Sequence, residues 1–255
     1  MNWSPLDFKG KVVVVKSTRN RCLLWLASKP LYTLKTMASV LNSLKAQKRA
    51  IRKAVSSTLQ LLPASSIEEQ SRAVVARILE LPSFQKSRSV SCYLSMPGGE
   101  LDTSSLVLEI LARGKELYIP KILTKEGRMD FLKVYGTEDL KTLPSGVWGI
   151  KEPDLQWQGS PRQSALDQNS DALDLILLPG VAFDRSLSRL GHGKGYYDRF
   201  IHSYSATGKP RPLLVALALR EQVLDDSAIL MEDHDWKMDL VVTPDEVLGQ
   251  VPKPM

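Results

Sequence analysis

The sequence has no apolar run approaching the ~20 residues of a membrane-spanning helix, which excludes a helical membrane protein and predicts a soluble one. It has two cysteines, Cys22 and Cys92, with neither metal-site spacing nor the count of a disulfide framework. Both read as free thiols in a reducing compartment. Internal repeats and low-complexity tracts are absent, so solenoid and fibrous classes drop out. No Ser/His/Asp triad and no usual RNA-binding aromatic motif stands out. The two best-known phosphate cradles also fail. A P-loop requires Ser or Thr after Gly-Lys, whereas Gly193-Lys194 is followed by Gly195-Tyr196. The dinucleotide fingerprint requires Gly-x-Gly-x-x-Gly directly after a strand, whereas Gly191, Gly193 and Gly195 are evenly spaced and begin well past one.

The chain does have 255 residues, 43% of them hydrophobic, enough for an ordinary core in one large domain or two small ones. Its net charge of +6 suits an anionic substrate, a nucleotide or nucleic acid. Residues 1–38 differ from the remainder, with Lys9, Lys11, Lys16, Arg19, Arg21, Lys29 and Lys35 against a single acid, Asp7. They read as a basic extension that is disordered, a mitochondrial presequence over 1–36, or an artefact upstream of Met37. Residues 39–255 read as one domain.

Spacing predicts a helix from about Ala38, with Lys45, Lys48, Arg49 and Arg52 on one face and Val40, Leu44, Ile51 and Val55 on another. By itself such a charge stripe reads first as a solvated face, with an anion-binding helix as the alternative. Ser66-Ile67-Glu68-Glu69 has the form of a capping box, opening a helix that stops before Pro82. Strands are predicted at Ser89–Leu94, Glu116–Pro120, Phe131–Val134, Leu173–Leu178, Leu213–Leu219 and Leu240–Val242, with a helix around Leu106 and Ile110. Strand, helix, strand predicts a right-handed parallel βαβ unit, which puts the loop Met96–Glu100 at a ligand-binding mouth. Trp148 lies in a Gly/Pro-rich loop, as a lid or a stacking surface. The polar stretch Leu155–Asp171 reads as a surface loop.

The most informative segment is Leu173–Phe200. A buried strand closes at Pro179-Gly180, and a glycine-spaced basic turn leads into Tyr196-Tyr197-Asp198. Glycines let the backbone approach an anion, and a helix start offers unpaired N–H groups. Asp198 and Asp235 form a pair of carboxylates suited to Mg²⁺. Taken singly, Asp235 fits a turn, and Asp198 fits an exposed ion pair with Arg185 or Arg199.

Leu177–Asp184 followed by Arg189-Leu190-Gly191-His192-Gly193-Lys194-Gly195-Tyr196-Tyr197-Asp198-Arg199 resembles the signature of the 5-formyltetrahydrofolate cyclo-ligases. Lys48-Arg49 with Arg52, Leu94-Ser95-Met96 with Glu100, Trp148-Gly149-Ile150 with Glu152-Pro153, and His234-Asp235 with Asp239 extend the likeness over residues 44–244. The resemblance implies a three-layer α/β/α fold with a mostly parallel, Rossmann-like sheet. It implies an ATP- and Mg²⁺-dependent ligase that closes 5-formyltetrahydrofolate to 5,10-methenyltetrahydrofolate through a phosphorylated imidate. By the same likeness Lys48, Arg49, Arg52 and Arg189–Tyr197 would bind ATP, with Arg189, Lys194 and Tyr196 catalytic. Leu94, Met96, Glu100, Trp148 and His192–Tyr196 would bind folate, and Asp198 and Asp235 would hold Mg²⁺. His192 stands where some members have Arg or an aromatic residue. The loop before Glu100 is one residue longer than in some members, which loosens its register. A polyglutamylated folate, a monomer and a cytoplasmic location follow as expectations, with mitochondria if residues 1–36 act as a presequence. The competing readings are a sugar-phosphate isomerase or CoA-transferase relative, which would need neither an Mg²⁺ pair nor a basic helix, and a nucleic-acid binder.

Overall fold

The computed structural model describes residues 31–96, 99–124, 126–146 and 149–251, with side chains from residue 42 onward. The chain divides into two compact units, residues 1–43 and 44–255. The basic extension, Cys22 and Trp148 lie outside the described residues.

In chain order the elements are helix α1 (Leu31–Leu59), α2 (Ala64–Glu80), α3 (Pro82–Lys86), strand β1 (Ser89–Ser91), α4 (Ser104–Ala112), β2 (Glu116–Ile122), β3 (Met129–Val134) and α5 (Thr137–Thr142). Then follow β4 (Gln156–Trp157), β5 (Ser160–Pro161), β6 (Leu175–Leu178), β7 (Ala182–Asp184), β8 (Arg189–Leu190), α6 (Tyr196–Ser205), β9 (Leu213–Leu217), β10 (Val223–Leu224), β11 (Leu240–Val242) and β12 (Val247–Gly249). Seven strands form the main sheet in the order β12-β11-β9-β6-β1-β2-β3. Its interior pairings are parallel, and β3 and β12 close the edges antiparallel.

Alternation along these strands makes two cores. Val90, Leu117, Ile119, Leu175, Leu177, Val215, Leu217, Leu240 and Val242 join Val55, Val74, Ile78 and Ile110, from α1, α2 and α4. Tyr118, Phe131, Ile176, Leu178, Leu214, Ala216 and Val241 join Phe200, Ile201 and Tyr204 of α6. A strand covered on both faces needs no polar alternation, which is why Leu175–Leu178 is a continuous apolar run. The result is the expected three-layer α/β/α fold. Among the described residues no helix is long and apolar enough to cross a membrane.

The topology places the site. From β1 the chain winds outward through β2 and β3, then returns to add β6, β9 and β11 on the other side. The order reverses between β1 and β6, and in open α/β sheets the crevice at the carboxyl ends there receives ligands. The Met96–Glu100 loop follows β1, and Pro179-Gly180 follows β6.

Three expectations are corrected. The helix after Pro63 starts at Ala64 with Pro63 as N-cap and no side-chain cap, so Ser66 lies within the first turn and Ser66–Glu69 is not a capping box. The helix expected from Ala38 begins at Leu31. The polar stretch 155–171 is not merely a surface loop. It forms the β4–β5 hairpin, and it buries Arg162 in a bidentate pair with Asp139 at 2.6 and 2.5 Å.

Candidate active site

In α1 the four cations of the stripe part company. Lys48 and Arg52 fall on the same flank as the buried Val55 and Leu59, at helical spacing, whereas Lys45 and Arg49 are exposed. Lys48 is buried, and its Nζ donates to Asp235 Oδ2 at 2.6 Å and to Glu232 Oε2 at 2.9 Å. Burial opposes its charge, yet the hydrogen bonds to these carboxylates outweigh it and raise its pKa. Arg52 donates from Nε to the Gly191 carbonyl at 2.7 Å.

The glycine turn owes its shape to two left-handed glycines. Gly193 has φ +91°, and Gly195, the N-cap of α6, has φ +66°. A methyl group on Gly193 would stand 3.4 Å from the Arg52 guanidinium carbon, so Arg52 closes over the turn. His192 and Lys194 are exposed on it. Desolvation and then the charges of Arg52 and Arg189 lower the pKa of His192 from the ordinary histidine value.

Arg189 enters from β8 and is nearly buried. It donates to Asp198 Oδ2 at 2.7 Å, reaches the Pro179 carbonyl at 3.3 Å, and lies 5.5 Å over the ring of Tyr197. Its Nε is buried with no protein partner. Leu190 is a core residue rather than part of an exposed lining. Asp184 holds the β7–β8 turn by accepting the N–H groups of Ser188 and Ile229 at 2.9 and 3.0 Å. Asp198 does not pair with Arg185 or Arg199. Arg185 pairs with Glu246, and Arg199 donates to the Glu126 carbonyl. Asp198 also accepts the Trp236 N–H at 3.1 Å, which brings it beside the Asp235 turn.

On the β1 side, Glu100 accepts the Met96 N–H at 2.8 Å. Burial raises its pKa to about 7, an effect this hydrogen bond only partly offsets. Burial, and then the charge of Glu100, raise the pKa of the Tyr93 and Tyr197 hydroxyls. Leu94 is half-buried against the first core and Tyr196 against the second.

The structure thus brings Lys48, Arg52, Arg189, Asp198, Asp235 and the glycine turn together, but Arg49 stays outside. The sequence reading missed Glu232. Its only signal was its place three residues before Asp235, in an acid-rich turn. The ligand atoms of Glu232, His234 and Asp235 lie within 4.8 Å of one another, and Asp198 is not in that group.

A doubly covered parallel sheet, with a glycine turn near its switch point and cations converging on it, is the arrangement of an α/β enzyme. The family model described as the 5-formyltetrahydrofolate cyclo-ligase family matches residues 44–244, and the chain belongs to that family. A probable 5-formyltetrahydrofolate cyclo-ligase of Schizosaccharomyces pombe is 34% identical over 210 residues, covering 80% of this chain and 98% of that one. A mitochondrial 5-formyltetrahydrofolate cyclo-ligase of Arabidopsis thaliana is 33% identical over 264 residues, covering 98% of this chain and 92% of that one. The NMR structure of 5,10-methenyltetrahydrofolate synthetase from Aquifex aeolicus is similar with a TM-score of 0.63 and 30% identity, covering 82% of this chain and 95% of that one.

Proposed function

We propose that this enzyme converts 5-formyltetrahydrofolate to 5,10-methenyltetrahydrofolate, with ATP converted to ADP and phosphate. The observation that carries the reading is the closure of Arg52 onto the Gly191–Gly195 turn, beside buried Lys48 and Arg189. We read it as a cationic cradle for a triphosphate, with Glu100 on the folate side.

A formamide carbon is a weak electrophile, and its oxygen is a poor leaving group. In the proposed sequence the formyl oxygen attacks the γ-phosphorus of ATP and the bond to the β-phosphate oxygen breaks. N10 then attacks the activated carbon, loses its proton, and phosphate departs as the ring closes. Phosphoryl transfer is governed by positioning and charge neutralisation. Lys48, Arg52, Arg189, Lys194 and the turn's N–H groups are proposed to bind and orient the phosphates. Glu100, with Leu94, Met96, Trp148 and Tyr196, is proposed to hold the folate, its carboxylate accepting from ring N–H groups.

Asp198 and Asp235 are assigned to Mg²⁺. The donor set fits: both are carboxylates, hard oxygen donors that match this ion. Each already faces a cation, Arg189 or Lys48, so an entering ion would have to take the carboxylates over from these partners. When bound, the ion would neutralise charge on the phosphates.

The test is absorbance in the methenyl product's band with purified protein, ATP, Mg²⁺ and 5-formyltetrahydrofolate. ATP-dependent growth of that band is expected. Its absence at micromolar enzyme would sink the reading.

A further inference from the structure

The site is charge-paired before any ligand enters. Two cations assigned to phosphate, Lys48 and Arg189, are held by the two carboxylates assigned to the metal, Asp235 and Asp198. Lys48 has a second holder, Glu232, to which neither role has been given. Glu232 and Asp235 also brace each other. The Glu232 N–H donates to Asp235 Oδ2 at 2.9 Å, and the Asp235 N–H donates to the Glu232 carbonyl at 2.9 Å. The turn therefore presents two carboxylates to one buried ammonium.

We propose that Glu232 is a specificity-determining residue which, by holding Lys48 away from phosphate, makes the site discriminate against nucleotide that arrives without its divalent cation. The inference rests on the ATP and metal assignments of the preceding subsection.

A bare triphosphate that recruits Lys48 strips it from Asp235 and Glu232, leaving two part-buried carboxylates facing an anion. A divalent cation that enters with the nucleotide takes over Asp235, and the carboxylates stay compensated while Lys48 turns to the phosphates. The nucleotide and its cation consequently reinforce each other's binding, and the carboxylates supply the repulsive element that rejects the wrong ligand form. Glu232 adds to this discrimination without having to ligate the ion.

The experiment is calorimetric binding of the non-hydrolysable β,γ-imido analogue of ATP to the full chain, in EDTA and in Mg²⁺. Removing one of two carboxylates competing for an ammonium is expected to tighten metal-free binding by about tenfold in Glu232→Gln. Affinity in Mg²⁺ is expected to change by no more than about twofold, because the lost repulsion of phosphate and the lost attraction for the cation offset each other. In a Lys48→Met background the same substitution is expected to tighten metal-free binding by a clearly smaller factor, since there is no ammonium left to hold and only the direct repulsion of phosphate remains to be removed. Metal-free binding that is unchanged or weakened in Glu232→Gln overturns the proposal, as does an equal effect in both backgrounds. Wild-type protein that forms no methenyl product overturns the cyclo-ligase reading while leaving these binding ratios interpretable. Wild-type protein that fails to bind the analogue even in Mg²⁺ overturns both.

Discussion

The Nε of Arg52 donates to the carbonyl of Gly191 across 2.7 Å, joining the first described helix to the glycine turn 139 residues later. The bond uses one edge of the guanidinium and leaves the other over Gly193, where phosphate oxygens are proposed to sit. A planar fork can serve both, but an ammonium cannot. Arg52→Lys is therefore expected to lower kcat/KM for ATP by about tenfold or more, with the folate KM nearly unchanged. Steady-state kinetics with each substrate varied in turn checks this, and normal ATP kinetics in Arg52→Lys would remove the bridge from the argument.

Gly193 should resist substitution because its φ of +91° disfavours any side chain by about 1–2 kcal/mol, in a turn over which Arg52 packs in van der Waals contact. Gly193→Ala is expected to keep a native circular dichroism spectrum and to lose most nucleotide affinity. Wild-type affinity in this variant would show that the turn need not keep its left-handed geometry.

Glu100 gives a pH signature in stability. Its folded pKa, about 7, lies above the ordinary value of 4.5. Between those values the folded state binds more protons than the unfolded state, so this group's contribution is fully present below pH 4.5 and is lost as pH rises through 7. Glu100→Gln removes the buried charge. It is expected to be more stable than wild type by about 2 kcal/mol near pH 8, with the gap closing near pH 4. Urea unfolding at the two pH values tests this. Equal stability near pH 8 would mean that the carboxylate is not destabilised by burial. Folate binding should weaken in the same variant.

Away from the site, the Arg162–Asp139 pair is nearly inaccessible to solvent. Asp139→Ala leaves a buried guanidinium without its counter-ion, and a loss of about 3–5 kcal/mol is expected in denaturant unfolding. A loss below about 1 kcal/mol would place the pair among surface ion pairs of little consequence.

Much of the fold could be read directly because it depends on local patterns. Leu175–Leu178 and Leu240–Val242 are apolar in every position, as strands covered on both faces must be. The Gly191–Gly195 turn and the helix it opens were also legible, since glycine spacing and a helix start are short-range features. What depended on distant partners was not. Arg162 looked like a polar loop residue because its partner, Asp139, lies 23 residues away on another element. Glu232 gave no sign of its role, because a contact with Lys48 across 184 residues leaves no mark in local spacing. The stripe of four α1 cations was visible, but only packing beside Val55 and Leu59 separates Lys48 and Arg52 from Lys45 and Arg49. Ser66 shows the converse error: a sequence with capping form lost its role because the helix starts two residues earlier.

Lys48 and Asp235 are 187 residues apart in the chain. A protein emerging from the ribosome exposes the basic helix well before the acidic turn. Strands β1, β2 and β3 follow one another and can pair early, whereas β6, β9 and β11 must find their places afterwards through non-local contacts that form slowly. Until Asp235 arrives, Lys48 is an unpaired cation at the edge of an unfinished sheet. The centre thus cannot be assembled from a nascent fragment. A polypeptide that stops after β9 but before that turn keeps most of the core and lacks both Glu232 and Asp235, the carboxylates that hold Lys48.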